Sequence, residues 1–405
     1  MLIEIIISLL FGILAGTFTG LIPGIHINLV GTFLIFLYPV ISIAPIYLVV
    51  FIVALSITHT FIDFIPSVFL GCSNTTTELS VLPGHELLKQ GNGYEAVILT
   101  AYGGITAIVA ILLLAFPFVF LVSPVYDILK SPYIIIIALT ISSLFLIFSE
   151  KKKFSALLVF FLAGILGLCI LNLGSLNQPL LPLLTGLFGG STIIMSIKDR
   201  IKIPEQKLND SLSIDKKKII WAFLGSLIAI PLSSLFPALG SGQTAVIGSQ
   251  ISGIKNDRKA FLFLNGAINL LIMGFSFISF YAISKTRTGS AVVVKELLGN
   301  FSAEILIVIL GVIFISGISA FFLTKFLAGF FSRKIGKINY TALSYITIAV
   351  LVIIVAFVSG FLGLLVLSVS ALTGIYCISL NVKRTQMMGC LILPTIWIYL
   401  GVIFS

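Results

Sequence analysis

The feature that most constrains this chain is its succession of continuous apolar runs, each about 20 residues long, separated by short polar and basic segments. A helix of that length crosses roughly 30 Å of hydrocarbon, whereas the strands of an outer-membrane barrel would alternate apolar and polar residues. Hydrophobic residues make up 59% of the chain and charged residues 9%, far from the composition of soluble domains. We therefore predict an all-α polytopic membrane protein with about 12–14 hydrophobic segments, some of them broken or re-entrant helices.

The basic residues indicate a membrane topology and not a nucleic-acid partner. The 24 Lys and Arg residues, which help give the chain a formal charge of +10, occur mostly in short clusters between apolar runs, one of them Lys383 with Arg384. This is the positive-inside pattern, so we place these clusters on the cytoplasmic side. The four cysteines have no paired spacing and indicate neither disulfides nor a metal site. We expect no cofactor.

Two pairings suggest that the chain contains a duplicated unit. Leu21 and Pro23 align with Leu235 and Pro237 at an offset of 214 (235 − 21), and segment 64–77 aligns with 277–290 at an offset of 213 (277 − 64). The basic loop 198–218, which we expect to be cytoplasmic, separates a first membrane repeat, 1–197, from a second, 219–405. Because an odd number of segments precedes the second copy, we predict inverted-topology repeats. Secondary transporters often have this plan, with the site between the repeats.

Two polar interruptions occupy corresponding positions in the predicted repeats. The longest, Gly71 to Gly84, follows a long apolar run, and a second, Ser284 to Ser290, follows another. Polar groups at membrane depth are rarely without function, so we predict that both interruptions line a substrate site. Arg287 is suited to hold a carboxylate or phosphate through two N–H groups. The predicted substrate-binding residues are Ser73, Asn74, Thr75, Thr76, Thr77, Lys285, Arg287 and Thr288.

Two prolines predict helix breaks within apolar runs. Pro23 and Pro237 each remove a backbone donor, and the amides and carbonyls freed beside them can face a ligand or ion. A half-helix that begins after such a break presents free amides and partial positive charge to an anion. We predict that the breaks line the site through Pro23, Gly24, His26 and Asn28 in the first half, and Pro237, Gly240, Ser241, Gly242 and Gln243 in the second.

His59 and Asp63 are candidates for ion coupling. They are four positions apart, so a helix directs both side chains to one face. A His and Asp pair at membrane depth can relay protons or bind an ion. With Glu78, they are predicted to couple transport to a Na⁺ or H⁺ gradient, since the chain has no phosphate-binding loop. The same pair leaves open another class of protein, an intramembrane metal-dependent enzyme.

Three segments resemble the large membrane subunit of tripartite tricarboxylate transporters, the TctA family, and its shorter archaeal-type relatives. They are GTFTGLIPGIHINL at Gly16 to Leu29, LPGHELLKQGNGYEAV at Leu82 to Val97 and LFPALGSGQTAVIGS at Leu235 to Ser249. The resemblance implies an ion-coupled secondary transporter of carboxylates that works with a small membrane subunit and an extracytoplasmic binding protein. The chain departs from the family pattern at Cys72 and Ser73, where the family has Pro and Gly.

Together these features favour a multi-pass protein of the cell membrane, surrounded by membrane lipid, that moves small organic anions by alternating access and is not an enzyme. Two alternatives stay open at this point: a transporter of a lipid-linked anion such as a polyprenyl phosphate, and the metal-dependent enzyme. The sequence also leaves the oligomeric state open, a homo-oligomer included.

Overall fold

The computed structural model describes residues 2–22, 27–38, 40, 43–71, 81–198, 203–208, 214–235, 240–254, 257–335 and 340–404. All regular secondary structure within these ranges is helical. Eight helical stretches in the same ranges are long and apolar enough to cross a membrane. The prediction of an all-α polytopic membrane protein is therefore confirmed.

The first half of the chain contains ten α-helices and one π-helical turn within the described ranges. They are α1 (Leu2–Leu21), α2 (Ile27–Leu37), α3 (Pro45–Ile62), α4 (Phe64–Phe69), α5 (Val81–Lys89), α6 (Gly93–Leu129), α7 (Pro132–Phe148), α8 (Lys153–Leu171), α9 (Leu180–Leu184), the π-helical turn (Thr185–Gly190) and α10 (Ser191–Lys198). The last three follow one another without a gap.

The second half contains seven α-helices and a 3₁₀ turn within the described ranges. They are α11 (Lys216–Leu235), α12 (Ser241–Ile251), α13 (Arg258–Ile283), α14 (Gly289–Leu298), α15 (Ala303–Ile335), α16 (Tyr340–Ser379), the 3₁₀ turn (Arg384–Met388) and α17 (Gly389–Phe404). Helix α16 is kinked at Gly360, whose φ of 65° lies in the left-handed region.

Helix bounds recur along the chain at a constant offset in residue number. The offset is 214 between the bounds of α1 and α11 (216 − 2 and 235 − 21) and between those of α2 and α12 (241 − 27 and 251 − 37). The ends of α4 and α13 differ by the same offset (283 − 69), so α3 and α4 together correspond to α13. This agreement supports a duplicated unit. The inverted orientation of the copies, and the division into 1–197, 198–218 and 219–405, stay predictions.

The two halves interdigitate in space. One apolar core is built by α1, α3, α5 and α6 from the first half together with α13, α14 and α15 from the second. A separate core is built by α7, α8, α9 and the π-helical turn together with α16, the 3₁₀ turn and α17. We call the helices around the first core the first bundle and those around the second core the second bundle. Through their contacts, the first bundle also includes α2, α4, α11 and α12. Each half thus contributes helices to both bundles.

Helices α3 and α13 form the interior of the first bundle. Both are buried around nearly their whole circumference, whereas α1, α6 and α15 keep one apolar face exposed. An apolar face that contacts no protein suits a helix surrounded by hydrocarbon. The interior helices also carry buried polar side chains, a costly arrangement in a membrane that usually has a functional reason.

Glycines allow the backbones of α6 and α13 to approach closely. A Cβ atom added at Gly103 would overlap the carbonyl oxygen of Phe263, and one added at Gly266 would overlap that of Thr100. Between membrane helices, lipid supplies little hydrophobic driving force, so close packing of small residues stabilises such contacts. Helices α1 and α3 pack in the same way at Gly12 and Gly16.

Ion pairs join the first bundle at the basic end of α13. Lys259 contacts both carboxylate oxygens of Glu95 on α6, at 2.9 and 2.8 Å. Arg258 pairs with Glu86 on α5 at 2.5 Å. Side-chain exposure is 23% for Lys259 and 11% for Glu95, so water screens this pair little.

The α6–α13 contact predicts that Gly103→Ala destabilises the fold by about 2 kcal/mol, because the added methyl group forces two backbones apart. Thermal unfolding of the purified protein in detergent measures the loss. Gly311→Ala on α15 is the matched control, since nothing lies within 4 Å of the added atom. Equal unfolding temperatures for the two variants would contradict the role assigned to Gly103.

The Glu95–Lys259 pair predicts that Glu95→Gln lowers the free energy of unfolding by about 2 kcal/mol. The partly buried ammonium group of Lys259 would then face a neutral amide in place of the Glu95 carboxylate. Asp127→Asn is the control, since the Asp127–Lys130 pair is 62% and 56% exposed and should contribute less than about 1 kcal/mol. Both losses can be read from thermal unfolding at low and high salt. Equal losses would show that burial does not strengthen the inner pair.

Candidate functional site

The second helix break lies where the two bundles meet. Helix α11 ends at Leu235 and α12 begins at Ser241, with Gly240 as its N-cap. The Gln243 side chain returns to this cap, where its Oε1 accepts from the Gly240 N–H at 2.9 Å. Ser241, Gly242 and Gln243 are buried, so α12 begins inside the protein with polar groups around its first turn. Met388, in the 3₁₀ turn of the second bundle, lies against Gly240.

Arg287 lies beside the same break, on the α11 side. Its Nε and Nη2 atoms donate to the Ser233 carbonyl oxygen, at 2.9 and 2.6 Å. Ser233 belongs to the last turn of α11, where carbonyls lack helical partners and where a cation is favoured by the helix dipole. Arg287 therefore lies at the α11 end of the break, and the start of α12 lies at the other end; that these residues share a substrate site stays a prediction.

The other residues of loop 284–288 have different surroundings. Ser276 on α13 accepts from the backbone N–H groups of Arg287 and Thr288, both at 3.0 Å, and so holds the loop against α13. Thr288 is the N-cap of α14, where its hydroxyl accepts from the Ala291 N–H. Lys285 is exposed. Arg287 is thus the cation of this loop that the fold holds inside.

The first helix break lies between the end of α1 at Leu21 and the start of α2 at Ile27. Helix α2 packs against α14, with Gly31 against Val293, and the hydroxyls of Ser56 and Ser290 join α3 to α14 at 2.5 Å. The first break is therefore linked through α2 to α14, the helix that follows the second polar interruption.

Part of the predicted site lies outside the described residues, and there the sequence predictions stand as predictions. The residues concerned are Pro23, Gly24, His26, Ser73, Asn74, Thr75, Thr76, Thr77, Glu78 and Pro237. Asn28 belongs to α2, but the structure does not describe its side chain.

His59 and Asp63 lie in the interior of the first bundle. His59 is 2% exposed and its Nδ1 lies 3.0 Å from the Thr19 hydroxyl on α1. Asp63, 1% exposed, occupies the turn between α3 and α4, where its carbonyl accepts from the Ser67 hydroxyl at 2.8 Å. Among the described residues, no three His, Cys, Asp or Glu side chains come together as a metal site would require.

The sequence predicted no site role for two further buried residues, His85 and Arg384. His85 on α5 is buried, and its Nδ1 lies 3.3 Å from the Val68 carbonyl oxygen. Burial, and to a smaller extent the charges of Lys89 and Arg384, lower the pKa of His85 to about 4, so its ring is neutral near pH 7. Arg384, assigned above to a cytoplasmic basic cluster, is in fact buried. Its only signal in the sequence is the polar Thr385 and Gln386 that follow it.

Comparisons with known proteins agree over nearly the whole chain. The family model described as the tripartite tricarboxylate transporter TctA family matches residues 6–389. An uncharacterized protein of Methanocaldococcus jannaschii is 30% identical over 410 aligned positions, which cover 98% of this chain and 99% of that protein. No solved structure matches the chain. The chain belongs to the tripartite tricarboxylate transporter TctA family, a family of membrane transporters.

Proposed function

We propose that this protein is a secondary active transporter that moves small organic anions of the carboxylate type by alternating access, driven by an ion gradient. Membership of a tricarboxylate transporter family supports the class of substrate. The single structural observation that carries the proposal is the position of Arg287 at the α11 end of the break that precedes the buried start of α12.

The chemistry of this break suits a carboxylate. The N-terminus of α12 contributes partial positive charge, and Arg287 contributes a full one on the other side of the break. Both lie within the protein, where a charge–charge attraction is screened less than at an exposed surface. An anion that entered the break would exchange its hydration for these groups.

Ion coupling is assigned to His59, Asp63 and Glu78. The first two lie deep in the first bundle, and a titratable or charged group at such a position usually takes part in an ion or proton pathway. Binding of Na⁺ or H⁺ there would change the charge of the interior, and substrate affinity with it. Such coupling is reciprocal, so substrate would also raise affinity for the ion.

The duplicated arrangement of helices supports alternating access. Helix bounds in the two halves recur at an offset of 214 (235 − 21), and each half contributes to both bundles. We propose that the copies are inverted, so that rocking of one bundle against the other opens the break first to one side and then to the other. A small membrane subunit and an extracytoplasmic binding protein are proposed partners.

Proteoliposomes containing the purified protein test the transport proposal. Uptake of radiolabelled citrate or succinate should rise when an inward Na⁺ or H⁺ gradient is imposed. In Asp63→Asn, gradient-driven uptake should fall by about tenfold or more, because a typical coupling free energy changes affinity by such a factor. Exchange of substrate without a gradient should continue.

Asp127→Asn, which alters an exposed carboxylate, is the control and should transport normally. Gradient-driven uptake that survives both Asp63→Asn and His59→Gln would remove these residues from coupling. If the wild-type protein takes up no carboxylate under either a Na⁺ or an H⁺ gradient, the proposed function itself is wrong.

Cysteine labelling tests the inverted repeats. In a background without the four native cysteines, single cysteines at Ser175 and Thr286 should react with an impermeant maleimide from the extracytoplasmic side. A cysteine at Lys217, in the basic segment that begins α11, should react only from the cytoplasmic side. Labelling of the first two positions from the cytoplasm alone would exclude the predicted topology.

A further inference from the structure

Arg384 and Lys383 are neighbours in sequence but have opposite environments. The Lys383 side chain is 57% exposed and lies 3.9 Å from Glu150. Arg384 begins the 3₁₀ turn between α16 and α17 and is only 9% exposed. The fold thus separates two cations that the sequence places in one basic cluster, and it buries the one whose planar group forms bidentate bonds.

The partners of Arg384 are neutral. Its Nη1 donates to the Phe188 carbonyl oxygen in the π-helical turn and to the Thr192 hydroxyl on α10. Among the described residues, no carboxylate oxygen lies within ion-pair distance of Arg384, and no acceptor bonds its Nε or Nη2. One corner of the guanidinium is therefore anchored, while its other edge has no protein partner in the described part of the chain.

Arg384 is connected to the candidate site through the 3₁₀ turn. The turn that it begins packs against α12, where Met388 contacts Gly240 at the N-cap. Its positive charge also contributes to the lowered pKa of His85 on α5, a helix of the first bundle. Arg384 therefore belongs to the region where the bundles meet, and Arg287 lies at the α11 end of the same helix break.

Burial of a cation among neutral partners is unfavourable, because desolvation of the charge is not offset by a counter-charge. A purely structural role would be filled more stably by a neutral side chain of similar size. Such a cost is understandable if a ligand supplies the missing negative charge. A carboxylate has the geometry to accept two parallel bonds from the free edge of a guanidinium.

We propose that Arg384 is a second anion anchor of the transporter, which binds one carboxylate of the substrate through Nε and Nη2 while Nη1 stays on Phe188 and Thr192. This inference rests on the proposed function. With Arg287 at the other end of the break, two separate guanidinium groups would select anions that carry two or more carboxylates over monocarboxylates.

Binding of citrate and of acetate to the purified protein in detergent, measured by calorimetry and by thermal shift, tests the proposal. The variants are Arg384→Met, which removes the charge but keeps much of the length, and Arg384→Lys, which keeps the charge but loses the bidentate edge. Lys383→Met is the matched control. Citrate affinity should fall at least about 30-fold in Arg384→Met, as expected on truncation of a buried charge pair, and should be unchanged in Lys383→Met.

Stability of the ligand-free protein separates a ligand-binding role from a structural one. If Arg384 serves the ligand, Arg384→Met should unfold at the same temperature as the normal protein or a higher one. A lower unfolding temperature together with normal citrate affinity would overturn the proposal. If Arg384→Met does not fold, Arg384→Lys decides: reduced citrate affinity supports the proposal, and normal affinity overturns it.

The two proposals fail in different ways. If the normal protein binds neither citrate nor any other carboxylate, the proposed function fails. If it binds citrate and every Arg384 variant binds equally well, only the assignment of Arg384 fails.

Discussion

The close contact of α6 with α13 is the interaction on which the rest of this structure depends. Gly103 and Gly266 let the two backbones meet, and packing of this kind replaces the hydrophobic effect as the source of attraction between helices in lipid. The contact holds α13 inside the first bundle, and both ends of α13 are then fixed. Lys259 at one end reaches Glu95, and the loop at the other end carries Arg287 to the end of α11.

The protein accommodates three inner cations in three different ways. Lys259 pairs with a carboxylate, Arg287 donates to a carbonyl in the last turn of α11, and Arg384 donates, among the described residues, to one carbonyl and one hydroxyl. This difference matters for ligand binding. A carboxylate cancels most of the charge of the cation, whereas neutral acceptors leave that charge available to an anionic ligand. Arg287 lies at the α11 end of the break where an anion is proposed to bind, and Arg384 begins the turn whose Met388 contacts the same break at Gly240.

Sequence reasoning succeeded where the information was local. Apolar run length predicted the helical membrane class, and the offset of 214 between Leu21 and Leu235 reappears in the helix bounds (235 − 21). It failed at Arg384, which stands next to Lys383 in a basic pair. Only the packing of the 3₁₀ turn against the π-helical turn and α10, which lie in the other half of the chain, distinguishes the two cations. The interdigitation of the halves was hidden for the same reason.

The sequence by itself determined the helical class, the positions of the breaks and the offset at which similar segments recur. The class follows from the thickness of the hydrocarbon layer and the breaks from the backbone chemistry of proline, whereas the offset comes from the pairing of Leu21 and Pro23 with Leu235 and Pro237. Only the tertiary structure decided which polar residues lie near the same helix break, because contacts between helices depend on where small residues permit close approach. Burial then decided which cations keep their charge available, since desolvation depends on all neighbours at once and not on position along the chain.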